Sequence, residues 1–121
     1  MNRGRHTVLA VIATAACAAA VPLTVGASQQ ATATPKQHTV KLLALKFSPG
    51  TIAAKQGDTV RFVWVTGIHN IVASSGPSKL DTGKPVENHK PVRITLKKKG
   101  SYRFLCEPHQ FAGMVLTIRV K

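Results

Sequence analysis

The sequence predicts an all-β domain, an antiparallel sandwich or barrel, and two observations carry that prediction. Short runs rich in β-branched and aromatic residues alternate with Gly, Pro, Asn and Asp, which is typical of strands separated by turns. No stretch of useful length has the 3.6-residue period of an amphipathic helix. The chain has 121 residues, so there is room for one domain around one core.

Seven runs have the composition of strands, and turn residues such as Gly57 with Asp58 separate them. The segment 74–90 has no clear period and is predicted to be the one long loop. The strand-like runs cover residues 39–47, 51–55, 59–65, 69–73, 91–97, 101–106 and 114–120.

Side-chain alternation predicts two packed layers. In the run 91–97, the apolar residues Val92, Ile94 and Leu96 alternate with Arg, Thr and Lys. Neighbouring residues of a strand face opposite sides, so one face of this strand is expected to lie on the core and the other in water. That pattern favours an ordinary two-layer sandwich.

The N-terminus has the composition of a secretory signal peptide. Basic residues precede an Ala- and Val-rich stretch, and small residues end it near Ala27. Residues 1–27 are therefore predicted to be a cleaved signal peptide, residues 28–38 a flexible linker and residues 39–121 the domain. This organisation predicts export to the periplasm or to the extracytoplasmic face of the cell membrane.

Two alternatives for the N-terminus remain open at the level of sequence. The apolar residues 7–25 approach the length of a spanning helix, which would keep the chain anchored in the membrane. Cys17 would be the attachment point of a lipoprotein. If the signal is cleaved, Cys17 leaves with it and Cys106 is the single remaining cysteine, to be interpreted as a reactive thiol or a metal ligand.

The charge of the chain predicts anionic partners. Residues 28–121 contain 15 Lys and Arg residues and four acidic ones, which gives a formal charge of +11. Such a surface attracts acidic proteins, and peripheral contact with an anionic membrane is a further expectation. Nucleic acid is not expected, because the basic residues are scattered through strands without interleaved stacking aromatics.

Two sulfur-bearing side chains are predicted to point inward at the facing ends of adjacent strands. Cys106 is in phase with Phe104, and Met114 is in phase with Leu116. The loop between them carries His109, and His69 begins the strand-like run 69–73 upstream.

The sequence therefore predicts a copper site formed by His69, Cys106, His109 and Met114. Two imidazoles, one thiolate and a weak axial thioether are the diagnostic ligands of blue copper. Zinc fits this set poorly because it rarely accepts a thioether. A nucleophilic pair of Cys106 and His109 is disfavoured, because no orienting acid and no substrate groove are evident.

These residues resemble the plastocyanin-like cupredoxins, a family that includes halocyanin, pseudoazurin and amicyanin. The loop CEPHQFAGM fits the pattern C-x-P-H-x-x-x-G-M, and His69 followed by Asn70 is similar to the upstream ligand histidine and its Asn. The resemblance covers about residues 39–121. It implies a Greek-key β-sandwich of seven to eight strands, one type 1 copper ion on the four ligands, and an Asn70 that braces the Cys106 loop.

By the same resemblance, we expect a monomeric carrier of single electrons with no enzymatic turnover. Its partners would be acidic redox proteins such as a cytochrome, an oxidase or a reductase, approached through the apolar surroundings of His109. Lys97, Lys98 and Lys99 are interpreted as a charged turn, with a docking patch as the alternative. The alternative function is an exported protein that stores or delivers copper on the same fold.

Overall fold

The structure is a computed structural model that describes residues 34–121, and these residues form eight strands and one short 3₁₀ helix. The predicted signal peptide and residues 28–33 of the predicted linker lie outside the described residues. The strands are β1 (Gln37–Leu43), β2 (Lys46–Ser48), β3 (Thr51–Ala54), β4 (Thr59–Trp64), β5 (Val72–Ser75), β6 (Val92–Thr95), β7 (Gly100–Leu105) and β8 (Val115–Val120), and the 3₁₀ helix is Glu107–Ala112.

The strands form two four-stranded sheets, so the predicted all-β sandwich of seven to eight strands is confirmed. One sheet has the order β2-β1-β4-β6 and the other β3-β8-β7-β5. Within them β1 pairs with β4, and β3 with β8, in parallel, and the remaining pairs are antiparallel. Non-consecutive strands are thus neighbours in both sheets. No helix among residues 34–121 is long and apolar enough to cross a membrane.

The core lies between the inward faces of the two sheets. Alternate residues of β4, β7 and β8 are fully buried, as their period of two predicts. Phe62 packs edge-on against Phe104 at 5.7 Å and against Phe47 at 6.5 Å between ring centroids. Burial of a side chain of this size contributes about 1.5–3 kcal/mol to the free energy of unfolding, so these rings are a principal source of stability.

The strand directions give the sandwich two distinct ends. At one end, which we call the site end, β4 finishes at Trp64, β7 finishes at Leu105 and β8 begins at Val115. At the other, the far end, lie the turn between β3 and β4, the turn between β6 and β7, and Lys121. The chain enters β1 at the far end, because β1 runs parallel to β4.

A buried carboxylate holds the far end together. Asp58 accepts hydrogen bonds from the backbone N–H groups of Lys36 and Lys55, each at 3.0 Å, and contacts His38 Nε2 at 2.9 Å. These three contacts lower the pKa of Asp58 to about 2. The Lys55 N–H group has the largest effect, followed by His38 and Lys36. His38, the last residue of the predicted linker, is half-buried and forms part of this clamp. Strand β1 reaches this clamp because it begins at Gln37, earlier than the predicted domain boundary.

The strand boundaries differ from the sequence prediction in two places near the site. The run 39–47 breaks into β1 and β2 at a turn, and the run 69–73 is a strand only from Val72. His69 instead makes an isolated antiparallel bridge with Val86 of the long loop, through two hydrogen bonds of 3.0 Å. The loop 76–91 thus pairs with the segment that carries His69, and no helical turn forms within it.

Candidate metal centre

The connection between β7 and β8 is a closed, hydrogen-bonded loop at the site end. Pro108 opens its 3₁₀ helix, and Gly113 ends it at a φ of 86°, which only glycine adopts readily. Three backbone hydrogen bonds tie the loop to itself: His109 N to Cys106 O at 3.1 Å, Cys106 N to Met114 O at 3.2 Å, and Met114 N to His109 O at 3.2 Å. The sequence predicted the loop but not its 3₁₀ turn.

His69 approaches the same point from the segment between β4 and β5. Its Nε2 lies 2.6 Å from the carbonyl oxygen of Thr66, and a carbonyl can only accept, so Nε2 is the protonated ring nitrogen. The unprotonated Nδ1 is then free to bind a metal ion. Gly67 packs against this ring, since a Cβ at Gly67 would lie 3.0 Å from His69 Nε2.

The three nitrogen and sulfur donors converge. Cys106 Sγ lies 3.6 Å from His69 Nδ1 and 3.5 Å from His109 Nδ1, and the three atoms all lie within 4.8 Å of one another. The two imidazole rings are 5.1 Å apart between centroids, at 64° to each other. One ion placed between the three atoms would contact all of them.

Three of the four predicted ligands are fully buried. Cys106, Met114 and His69 have no exposed surface, whereas His109 is half-buried. The backbone of Met114 is bonded to both Cys106 and His109, so its side chain starts from the same end of the sandwich. Together the four residues have the arrangement of a type 1 copper site.

Burial also determines the protonation of the donors. Desolvation lowers the pKa of His69, and the neighbouring His109 adds to this, while the bond to Thr66 opposes it. Desolvation raises the pKa of the Cys106 thiol, whereas the backbone N–H groups of Asn70 and His109 lower it by a smaller amount. The imidazole is therefore neutral and ready to bind, and a metal ion must displace the thiol proton.

Asn70 joins the two chain segments that carry the donors. Its Oδ1 accepts from the backbone N–H of Glu107 at 2.9 Å, and its Nδ2 donates to Glu107 Oε2 at 2.6 Å and to Gly83 O at 3.0 Å. Asn70 is fully buried, so each of these bonds is costly to lose. The expected bracing of the Cys106 loop by Asn70 is confirmed.

The sequence missed one contact beside His69. Trp64 is half-buried against the core, and its Nε1 donates to the carbonyl oxygen of His69 at 3.2 Å. Its indole stacks on the exposed ring of His89 at 4.6 Å between centroids. Alternation along β4 placed Trp64 with its inward neighbours, and nothing in the sequence indicates that His89 of the long loop covers it.

Exposed apolar residues flank His109 along the loop. Phe111 is 97 % exposed, and Pro108, Ala112 and Gly113 are also exposed. The other large exposed hydrophobic residues lie in the turns of the same end of the sandwich. They are Leu45, Val65 and Ile68.

Comparison with known proteins agrees with this donor set. Residues 34–121 match the family described as copper binding proteins, plastocyanin/azurin family. The chain is 33 % identical to plastocyanin of Prochlorothrix hollandica over 106 residues, which covers 82 % of this chain and 80 % of that protein.

Two solved structures have the same fold. Oxidised plastocyanin from Dryopteris crassirhizoma superposes with a TM-score of 0.58 at 26 % identity, covering 69 % of this chain and 100 % of that one. Pseudoazurin from Hyphomicrobium denitrificans superposes with a TM-score of 0.56 at 30 % identity, covering 69 % and 74 %.

Proposed function

The chain belongs to the plastocyanin/azurin family of copper-binding proteins, and from that premise we propose that it carries single electrons between larger redox proteins. The observation that carries this proposal is the convergence of His69 Nδ1, His109 Nδ1 and Cys106 Sγ within 4.8 Å at one end of a rigid sandwich. In this proposal His69, His109, Cys106 and Met114 would hold the copper ion, and Cys106 would supply the thiolate.

Bound copper supplies one-electron chemistry by alternating between Cu(I) and Cu(II). The protein's own residues would hold the donor atoms in place around the ion. The Thr66 carbonyl fixes the His69 ring, the loop hydrogen bonds fix Cys106 and His109, and the Asn70 bonds hold the two segments together. A fixed donor set keeps the reorganisation cost of electron transfer low.

The burial of the ligands favours a carrier over an enzyme or a copper-delivery protein. Substrate turnover needs an open coordination position, and delivery needs ligands that a recipient can reach. Here His69, Cys106 and Met114 are fully buried. Only the edge of His109 approaches solvent, which gives electrons a short way out while the metal stays enclosed.

The function is tested by reversible one-electron titration of the copper-loaded protein. We expect one electron equivalent per copper, with the metal retained through repeated reduction and reoxidation in the presence of a Cu(I) chelator. Rapid loss of copper to the chelator on reduction would overturn the carrier assignment and favour delivery.

The apolar surface around His109 is the proposed contact for redox partners. Ala112→Glu introduces a bulky charge there and should slow electron transfer without changing the copper spectrum. Ala53→Glu is the matched control, because Ala53 is exposed on β3, away from the loop. Equal transfer rates in the two variants would show that partners do not dock at this surface.

The proposed partners are acidic proteins of the cytochrome, oxidase or reductase type, bound transiently by a monomer. The basic side chains suited to guide them are Lys46, at the start of β2, and Lys84, in the long loop, which are both exposed at the site end. Such complexes are small and rely on steering, so the association rate should fall as salt rises. A rate that is flat or rises with salt would contradict an acidic partner.

The proposed place of action is the periplasm or the extracytoplasmic face of the cell membrane. The basic and apolar composition of residues 1–27 supports this. N-terminal sequencing of the protein recovered from its cells tests it, and distinguishes a cleaved chain from an anchored or lipidated one.

A further inference from the structure

Six exposed lysines gather at the far end of the sandwich. Four chain segments bring them there: the entry to β1, the turn between β3 and β4, the turn between β6 and β7, and the C-terminus. The lysine cluster consists of Lys36, Lys55, Lys97, Lys98, Lys99 and Lys121.

The backbone fixes the positions of these segments relative to one another. Gln56 is at the centre, because its N–H donates to Lys121 O at 3.1 Å and its side-chain amide to Lys97 O at 2.8 Å. Thr59 N donates to Lys36 O at 3.0 Å, and Asp58 N to Lys55 O at 3.0 Å. The cluster is therefore a defined surface, although its side chains are long.

Among residues 34–121, no acidic side chain forms an ion pair with a lysine of the cluster. Asp58 is the only carboxylate side chain at this end, and it is buried and bonded to two N–H groups and to His38. The other acidic residues, Asp81, Glu87 and Glu107, lie in the long loop and the 3₁₀ helix at the site end. Positive charge is thus concentrated away from the metal centre.

The cluster is too far from the site to guide a partner to it. Strand β7 runs from Gly100 to Leu105, which is a rise of about 17 Å at 3.3 Å per residue. Surface charges are screened over about 8 Å at physiological ionic strength. A partner of the cluster is therefore distinct from one that docks at the surface around His109.

The path of the chain indicates what that partner is. Residues 1–33 join the domain at Thr34, beside Lys36 of the cluster, and their sequence contains the apolar run 7–25. Where this run is retained as an anchor, the chain enters the domain at the end that carries the cluster. The large exposed apolar side chains are at the opposite, site end, so the far end offers charge alone. That composition suits an anionic lipid surface.

We propose that the lysine cluster binds the surface of an anionic lipid bilayer and so holds the site end away from the membrane. The lipid contact does not depend on the proposed electron transfer. The consequence of that contact rests on the proposed function: the surface around His109 would face outward to redox partners while the protein stays at the membrane.

The first test is a lysine footprint of the full chain on vesicles. Each lysine is acetylated with a water-soluble amine reagent, and its reactivity is measured by mass spectrometry. One vesicle contains equal parts of phosphatidylglycerol and phosphatidylcholine, and the other contains phosphatidylcholine alone. We expect the cluster to lose reactivity several-fold on the anionic vesicle only, and Lys46 and Lys84 to stay reactive on both.

The second test compares two triple variants with the same change in charge. Lys97→Gln with Lys98→Gln and Lys99→Gln removes half of the cluster, and only backbone atoms of Lys97 and Lys98 make hydrogen bonds in the structure. The control replaces Lys41, Lys46 and Lys84. A lysine near an anionic surface contributes roughly fivefold to partitioning, so the cluster variant should bind anionic vesicles about a hundredfold more weakly. The control should bind within about threefold of the parent chain.

The outcomes separate the alternatives. Equal weakening in both variants would mean that net charge acts without a defined surface, and would overturn the proposal. Equal protection of the cluster on the anionic and the neutral vesicles would also overturn the proposal, because the N-terminal run would then position the domain by itself. The copper spectrum should be unchanged in both variants, so failure here leaves the proposed electron transfer intact.

Discussion

The two ends of the sandwich are made from the same strands and have opposite chemistry. At the site end the strands finish beside the metal donors, three of which are fully buried, and beside exposed apolar side chains, with Asp81, Glu87 and Glu107 nearby. At the far end they finish in six exposed lysines over one buried carboxylate. The apolar core between them keeps the two apart.

This difference shows how a small electron carrier can separate two requirements: the redox potential of its metal and the place where the protein is held. Charge near a metal changes its potential, whereas charge far from it can fix the place of the protein without that effect. If the account is right, substitutions at one end leave the properties of the other end unchanged.

The largest expected effect is at the site end. Cys106→Ser should abolish the thiolate-to-copper absorption completely, because only a thiolate supplies that transition. The protein should remain folded, since its stability comes mainly from the core between the sheets. Circular dichroism checks the fold, and an intense band that survives in this variant would refute the assignment of Cys106.

The second effect is on the redox potential, through Met114. Met114→Leu removes a donor that helps to stabilise Cu(II), so the potential should rise. Met114→Gln offers an oxygen donor and should lower it. Electrochemistry of both variants measures the shifts, and two unchanged potentials would mean that Met114 only fills the core.

The third effect is on stability and belongs to the far end. The pKa of Asp58 falls from 3.8 to about 2 on folding, so Asp58 stabilises the protein above pH 4 and this contribution is lost as the pH falls from about 4 to 2. Asp58→Asn should lower the free energy of unfolding by about 2 kcal/mol at pH 7, and by much less at pH 2.

Denaturant unfolding at the two pH values tests this, and the copper spectrum is the control. A spectrum altered by Asp58→Asn would show that the two ends are coupled. If the free energies of unfolding of the parent protein and Asp58→Asn differed as much at pH 2 as at pH 7, the ionised carboxylate would not be the source of the stability.

The smallest expected effect on stability comes from a glycine-to-alanine substitution made once at each end of the sandwich. Gly67→Ala should cost about 1 kcal/mol, because Gly67 has a φ of 94°. Its Cβ would also press on the His69 ring, so the copper spectrum should change. Gly57→Ala at the far end has a similar φ and open space, and is the matched control. It should cost about the same and leave the spectrum as it was.

The sequence predicted the site more fully than the surfaces. Three ligands are close in the chain, at Cys106, His109 and Met114, and strict alternation in β7 and β8 gave the inward direction of both sulfurs. His69 was predicted by type and position, although it lies in a bridge before β5 and not in a strand.

The remaining features depend on contacts between distant segments. His38 pairs with Asp58 only because β1 runs parallel to β4, and Trp64 is covered by His89 from the long loop. The lysine cluster joins four segments that no local pattern relates. Such features follow from topology, which the sequence alone did not specify in detail.

The visible absorption spectrum of the copper-loaded protein decides whether His69, Cys106, His109 and Met114 hold one copper ion in a blue site. The zinc-loaded protein is the colourless control. We expect an intense thiolate-to-Cu(II) charge-transfer band at one copper per chain. Only weak visible absorption from the copper-loaded protein would refute the blue copper site.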